Sequence, residues 1–435
     1  MSGTLDGNTT FLARSTSTVA RQFTPSVVRE RSHRLACCCA VAAGFTIPLA
    51  TSPTVLLFAL LFLCWLLSGD FREKWRVISQ SRIAWLATGL FAVHLISLAY
   101  TPASFADAVA MLSKYRNLLY VPILITIFSD RRVRDLGLSA FLAAMTIALV
   151  GSYLMRFGWV HSRWGGIHDC AVFKNHTTQN VLMAFFAYLV ALEAVRRPAW
   201  RWVCVTVLLL AGYDILFLVQ GRTGFVVLAA LMVLFLWQQA GTRGLLYSGV
   251  ALIVGAVSVY SVSDNFRSRM DKGVAEFTEY ASGTRGVAVD SRNSIGLRLL
   301  FYENSLQLAK RAPLFGSGAG GFAYRYGELA KKEGLVGSVN PHNEYLLVLV
   351  QTGLVGLTLL LLLFAVGWRD AAKLEIHNRQ IAQAVVVTVV TGCLLYSLLL
   401  DTTEGAFYSY FTGLCFGGLH SGSANEEAPI PTTQP

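Results

Sequence analysis

The sequence predicts an all-α integral membrane protein, with about 12 transmembrane helices and one large extramembrane loop containing amphipathic helices. Three observations lead there. Apolar residues fill 54% of the 435 positions and charged residues only 14%. Soluble chains run at roughly 45–50% and about 25%, and a soluble fold of this size could not hide so much apolar surface. Mean hydropathy is +0.53. The second observation is a succession of apolar runs close to bilayer length. The third is the placement of Lys and Arg between them.

A hydrocarbon core of about 30 Å takes around 20 helical residues per crossing. Runs of that order lie at 33–50, 53–68, 83–100, 115–129, 134–157, 176–195, 200–219, 222–239, 244–262, 342–367, 380–399 and 404–420. The first two meet at Ser52-Pro53 and suit a tight helical hairpin. Lipid leaves an open backbone unsatisfied, so each run is expected to be helical. The alternation of a membrane barrel is absent. The chain then divides into an N-terminal tail (1–32), nine spans (33–262), a long loop (263–341), three spans (342–420) and a C-terminal tail (421–435).

Net charge is +11, yet the basic residues follow topology rather than a nucleic-acid patch. With the N-terminus inside, 19 of the 36 Lys and Arg fall on inside segments and 6 on short outside segments. The other 11 lie in 263–341, which is too long to count toward orientation. Both termini are therefore expected inside and the long loop outside. The tail 1–32, rich in Ser, Thr and Arg, resembles a transit peptide but reads as an inside tail ahead of so many spans. The small, acidic tail 421–435 reads as disordered. Seven of eight cysteines sit in apolar runs, Cys170 being the exception, and there is no C-x-x-C pair. No internal repeat supports a transporter built from duplicated halves.

Within the long loop, 293–311 has Ile295, Leu299, Tyr302, Leu306 and Ala309 at helical spacing and ends before Pro313. This predicts an amphipathic helix lying on the bundle or the membrane. Gly316, Gly318 and Gly321 match G-x-G-x-x-G, but after a helix rather than a strand. The reading is a backbone turn near the lipid surface or a glycan, not a nucleotide site. Asn340 and Pro341 fit N-cap and N1 of the next span, placing His342 in its first turn. The positive end of a helix dipole favours neutral imidazole, the form a general base needs.

Arg222, in Gln220-Gly-Arg-Thr-Gly224, lies in a short outside turn. Arg298 lies on the amphipathic helix. With His342 they set three basic groups at one face, and guanidinium forks suit phosphate oxygens. Weaker candidates for substrate contact are Lys174, Asn175, Asn343, Tyr345 and Asp401. Asp401 and Glu404 are placed to orient His342, to contact an acceptor or simply to be solvated. Asp214 lies inside a span and demands a partner. His94 reads as structural. His168, Asp169 and His176 fit no standard zinc spacing, so no metal and no cofactor are expected.

About twelve spans, a large late outside loop, Q-G-R-T-G at a helix start and P-H-N-E-Y at the loop's end together resemble the O-antigen ligase family. That superfamily also holds O-antigen polymerases and bacterial O-oligosaccharyltransferases. The resemblance implies a bacterial inner-membrane enzyme that works at the periplasmic face. It implies transfer of polysaccharide from undecaprenyl pyrophosphate to a lipid A–core sugar, without metal or ATP. On that reading His342 is the base, Arg222 and Arg298 hold the pyrophosphate, and the anomeric centre inverts. The partners are lipid-linked O-antigen, lipid A–core and membrane lipid, not nucleic acid, and the working unit is a monomer. A polymerase or an oligosaccharyltransferase differs only in its acceptor, and a transporter is the alternative of another class.

Overall fold

The computed structural model describes residues 25–262, 264–281 and 294–420. The earlier part of the N-terminal tail, the middle of the long loop and the acidic C-terminal tail lie outside the described residues. The described chain is helical, and its extended segments meet in one isolated bridge, Gly166 with Asp169.

Helices α1 (Pro25–Leu49) and α2 (Thr51–Leu67) form the expected hairpin around Ala50, with Thr54 Oγ1 donating to Thr46 Oγ1 at 3.0 Å. Helix α1 starts before residue 33, because nothing in 26–32 breaks a helix and Pro25 suits a first turn. Helix α3 (Phe71–Gln80) bends away from α2 by 118°. Next come α4 (Arg82–Ile96), α5 (Phe105–Lys114), α6 (Tyr120–Ile127) and α7 (Arg131–Arg156). Then follow α8 (His176–Arg196), α9 (Arg201–Tyr213), which runs into a π-turn at Asp214–Leu218, and α10 (Arg222–Val262). The loop region supplies α11 (Asp264–Ala281), α12 (Ser294–Arg311) and α13 (Gly321–Glu333). Helices α14 (Glu344–Ala371), α15 (Ile376–Leu395) and α16 (Thr402–Phe416) complete the bundle.

Among the described residues eight helices are long and apolar enough to cross a membrane, or nine if α2 and α3 are one bent span. Four of the twelve expected runs do not stand as separate long helices. Run 53–68 is a 17-residue helix, 115–129 splits into a 3-10 turn and the eight-residue α6, and 404–420 gives the 15-residue α16. Run 244–262 is continuous with 222–239 in α10, whose 41 residues would measure about 60 Å if straight. It is not straight. Gly241 breaks it at φ 58°, ψ −137°, a conformation that L-residues avoid, and the backbone of Gly244 comes up against the Leu236 carbonyl.

The centre is α8 and α16, both buried almost throughout. Phe185 and Phe411 meet edge to face at 4.8 Å, and Phe407 and Phe141 join them at 4.9 and 4.8 Å. Such pairs contribute about 0.5–1.5 kcal/mol each beyond burial. In lipid, packing rather than water exclusion holds helices together.

Hydrogen bonds between helix ends sort those ends onto two faces, Asn180 to Gly221 and Leu399 to Glu344 at one, Arg196 to His377 and Arg82 to Asp370 at the other. Arg156, His176, Arg222, Glu344 and Leu395 end or start helices at one face. Arg131, Arg196, Ala371 and Ile376 do so at the other.

Helix α14 is broken at Gly353 (φ 66°, ψ −161°), and the glycine-rich turn fills the break. Ser317 and Gly318 donate backbone N–H to the carbonyls of Val350 and Gln351, both at 2.8 Å. Leu354 donates to Pro313 at 2.8 Å and Val355 to Leu314 at 3.2 Å. A Cβ on Gly316 would lie 2.5 Å from the Gln351 carbonyl carbon, and one on Gly353 would overlap the Leu314 carbonyl. The turn therefore repairs a helix, and it leaves Leu314 and Phe315 exposed.

Helix α12 forms where expected and ends at Arg311. Its buried face is set by Phe301, Ser305 and Leu308, whereas Leu306 is 49% exposed. The anticipated stripe is rotated because Asn304 and Ser305, polar in sequence, turn inward. Helix α13 was not anticipated, although Phe322, Tyr326, Leu329 and Ala330 carry a helical period.

Candidate functional site

His342 does not start a helix. Asn343 is the N-cap of α14: its side-chain oxygen accepts from Leu346 N at 3.0 Å, and Glu344 is the first helical residue. Asn340 makes a local turn instead, its side chain accepting from His342 N at 2.6 Å. His342 itself adopts φ +55°, a left-handed conformation uncommon outside glycine. The helix dipole therefore does not act on it as a first-turn residue. Burial pushes its imidazole below the usual histidine range, and the nearby Arg298 cation adds to this. The neutral form at pH 7 stands, on different causes.

The ring lies between Phe301 (centroids 6.2 Å apart) and Tyr396 (5.8 Å). Nδ1 is buried without a hydrogen-bond partner. Tyr302 holds the loop, donating from its hydroxyl to the Leu394 carbonyl at 3.0 Å, with the His342 carbonyl 3.3 Å from the same oxygen.

Arg298 projects from α12 toward the same place. Burial lowers its pKa, with Arg222 acting in the same direction and Tyr302 and Tyr396 opposing. Helices α10, α12 and the loop before α14 thus bring Arg222, Arg298 and His342 together, as their sequence positions suggest. Among the described residues no carboxylate forms an ion pair with Arg298, and a second guanidinium, Arg222, acts on it electrostatically. Arg222 also lines a cavity of about 390 Å³ whose other walls are apolar, including Phe225, Val226, Met270, Val274 and Phe277. One end of that cavity is cationic and the rest is hydrocarbon.

The weaker candidates divide by what their side chains hold. Asn175 caps α8, accepting from Thr178 N at 3.0 Å. Asn343, besides its capping bond, donates to the Leu394 carbonyl at 3.0 Å. The Tyr345 hydroxyl donates to the Val390 carbonyl at 3.0 Å. Lys174 is buried, donating to Thr51 Oγ1 at 2.6 Å and Thr403 Oγ1 at 3.0 Å. Burial lowers its pKa to about 8, against the pull of Glu404 and Asp401. Neither of those carboxylates is hydrogen-bonded to His342. Asp401 stands beside Tyr396, whose hydroxyl is pushed up first by burial and then by that charge. Glu404 accepts from Thr178 Oγ1 at 2.6 Å.

Glu344, left without a role in the sequence reading, proves central. It is fully buried, accepting from the Tyr115 hydroxyl at 2.7 Å and from Leu399 N at 3.1 Å. His94 stacks on Tyr115 (4.1 Å), with Nδ1 at 2.9 Å from the Leu90 carbonyl. The place of Glu344 two residues after His342 in P-H-N-E-Y was the available signal; Tyr396 offered none. Asp214 is buried with no hydrogen bond to either oxygen, and Ser152 nearby bonds to the Cys170 carbonyl instead. His176 Nδ1 lies 3.3 Å from Asp169, and no group of three metal-binding side chains forms among the described residues.

Residues 204–361 match the O-antigen ligase family, a stretch that contains Arg222, Arg298, His342 and Glu344. Over 200 residues the chain is 26% identical to an uncharacterized protein of Haemophilus influenzae. That match covers 44% of this chain and 46% of the relative, so the chain spans just under half of the relative's length. The protein is a multi-pass helical membrane protein whose residues 204–361, the segment bearing both arginines and the histidine, carry the sequence pattern of the O-antigen ligase family.

Proposed function

We propose that the protein is an O-antigen ligase, transferring polysaccharide from undecaprenyl pyrophosphate to a sugar hydroxyl of lipid A–core at the periplasmic face of the inner membrane. The observation that carries this reading is the convergence of Arg222 and Arg298 beside His342, where an apolar cavity opens from Arg222. Two neighbouring guanidiniums, one with no carboxylate paired to it among the described residues, suit a dianion. The apolar cavity suits the start of a polyprenyl chain.

In the proposed reaction the acceptor hydroxyl oxygen attacks the anomeric carbon of the donor sugar. The bond from that carbon to the pyrophosphate oxygen breaks, and its electron pair leaves on undecaprenyl pyrophosphate. His342 takes the hydroxyl proton on Nε2, since Nδ1 is enclosed. Arg222 and Arg298 stabilise the charge that grows on the leaving phosphate, a contribution of about 10²–10³ in rate for one such donor. Attack opposite the leaving group inverts the centre. Because no carboxylate among the described residues orients His342, its aim depends on the backbone turn at φ +55° and on the two aromatic rings.

The test is transfer by purified protein from undecaprenyl-pyrophosphate-linked glycan to rough lipopolysaccharide, with EDTA and without ATP. A ladder of heavier lipopolysaccharide, absent for His342→Ala, is the expected result. Elongated lipid-linked glycan with no ladder would make the protein a polymerase. Normal transfer by His342→Ala would end the base assignment.

A further inference from the structure

At the face opposite the candidate site, α7 and α9 both pack on α8 and leave a cavity of about 500 Å³ between them. Its upper rim is ionic. Arg131 and Arg134 come from α7, and Arg196 and Arg197 from the end of α8. Facing them are Asp135, Glu193 and Glu375, with His377 from α15. Its lower walls are apolar, with Leu142 and Leu138 on α7, Val190 on α8, Val203 and Val207 on α9 and Leu414 behind.

Some of these charges are already used. Arg134 donates to the carbonyls of Phe128 (2.6 Å) and Ser129 (2.9 Å). Glu193 accepts from Arg197 at 2.8 Å and Arg196 at 3.3 Å, and His377 Nε2 lies 3.2 Å from Arg196 Nη1. Asp135 stands at 4.0 Å from Arg131, with both side chains 74% exposed. Four guanidiniums against three carboxylates leave the rim one positive charge in excess when His377 is neutral. Exposed Trp200 and Trp202 sit at the same level, where indole rings mark a membrane–water boundary. So an aqueous-side ionic rim sits directly above a hydrocarbon-lined slot at the boundary itself.

We infer that this cavity holds one glycerophospholipid of single net negative charge. Its phosphodiester sits between Arg131 and the Arg196–Arg197 pair, and the first carbons of an acyl chain lie along Leu142, Val190 and Val207. The excess charge matches a phosphodiester monoanion, and the remaining carboxylates accept hydroxyls from the rest of the headgroup. The volume falls within the range of small-molecule pockets, roughly 300–1,000 Å³. The site is separate from the arginine–histidine cluster and does not depend on the proposed transferase reaction.

The experiment is native mass spectrometry of the full-length protein in detergent. Phosphatidylglycerol, phosphatidylethanolamine and diacylglycerol with identical chains would be added singly, and inorganic phosphate separately. One phosphatidylglycerol should remain bound under activation that strips the other two. Its retention should fall about tenfold in the Arg131→Gln/Arg197→Gln double variant and in Leu142→Trp, which fills the slot. Arg72→Gln, an exposed arginine of α3 outside the cavity, should retain lipid as the parent does, which separates site loss from a general change of charge. Equal retention of phosphatidylethanolamine, binding of inorganic phosphate alone, or lipid retention unaffected by either cavity variant would overturn the inference.

Discussion

Glu344→Gln is the most informative perturbation outside the reacting groups. The carboxylate is fully buried and receives two donors, the Tyr115 hydroxyl at 2.7 Å and Leu399 N at 3.1 Å. It thereby fixes the start of α14, two residues past His342, to the 398–400 turn and to the segment before α6. Glutamine keeps the shape but offers one acceptor oxygen and places an NH₂ against a donor. One hydrogen bond is lost and a buried donor is left unsatisfied, together worth roughly 1–3 kcal/mol. In thermal unfolding of the detergent-solubilised protein the midpoint should drop by roughly 2–6 °C. Tyr115→Phe removes the same bond from the other side. The double variant should then be little worse than Glu344→Gln alone, because the two share one interaction. The loss of registry should lower the single-turnover transfer rate about tenfold or more and leave donor KM nearly unchanged, since Glu344 touches no phosphate site. Additive single effects, or a Glu344→Gln protein with parental midpoint and rate, would refute this account of how His342 is aimed.

Four further outcomes follow from the geometry. Arg298→Lys should lose about a hundredfold in kcat/KM, nearly as much as Arg298→Ala, because a point charge does not reproduce a planar fork beside a second guanidinium; a lysine variant within threefold of parent would contradict the phosphate role. With His342 held below its usual 6.5, the transfer rate should already be on its plateau at pH 7 and fall only at lower pH, as the imidazole charges; an acid limb centred above 6.5 in the pH–rate profile would speak against it. Lys174 titrates near 8 in the fold against 10.5 when exposed, so the unfolded chain binds more protons between those values and stability should rise from pH 8 to 10.5; unfolding midpoints across that window should show the rise in the parent and lose it in Lys174→Met. Gly353→Ala combines positive φ with a clash against the Leu314 carbonyl and should abolish monodisperse protein in size-exclusion chromatography, whereas Gly327→Ala, with open space, should not.

The helical class and most helix positions were legible because apolar length is a direct physical requirement of the bilayer. The count was not, because a run of apolar residues does not reveal where a helix breaks. Residues 115–129 read as one span, yet Tyr115–Leu119 tightens to a 3-10 turn before α6. The clustering of Arg222, Arg298 and His342 followed from their placement at one face. Helix-start rules misplaced His342 by choosing Asn340 over Asn343, two asparagines with equal capping chemistry and only one with the backbone to use it. Glu344 and Tyr396 stayed hidden because their roles arise from partners far along the chain, Tyr115 and Leu399 for the first, His342 for the second.

The mended break in α14 has a bearing on how substitutions at the site can be read. Arg298 sits on α12, whose chain continues through Pro313 into the glycine-rich turn, and that turn is bonded by two backbone links to the half-helix that begins beside His342 and by two more to the half beyond Gly353. The span from the cation to the base is therefore held by main-chain atoms. Exchanging either side chain alters the chemistry presented at a fixed separation, so an activity series at one position can be compared with a series at the other on a common ruler.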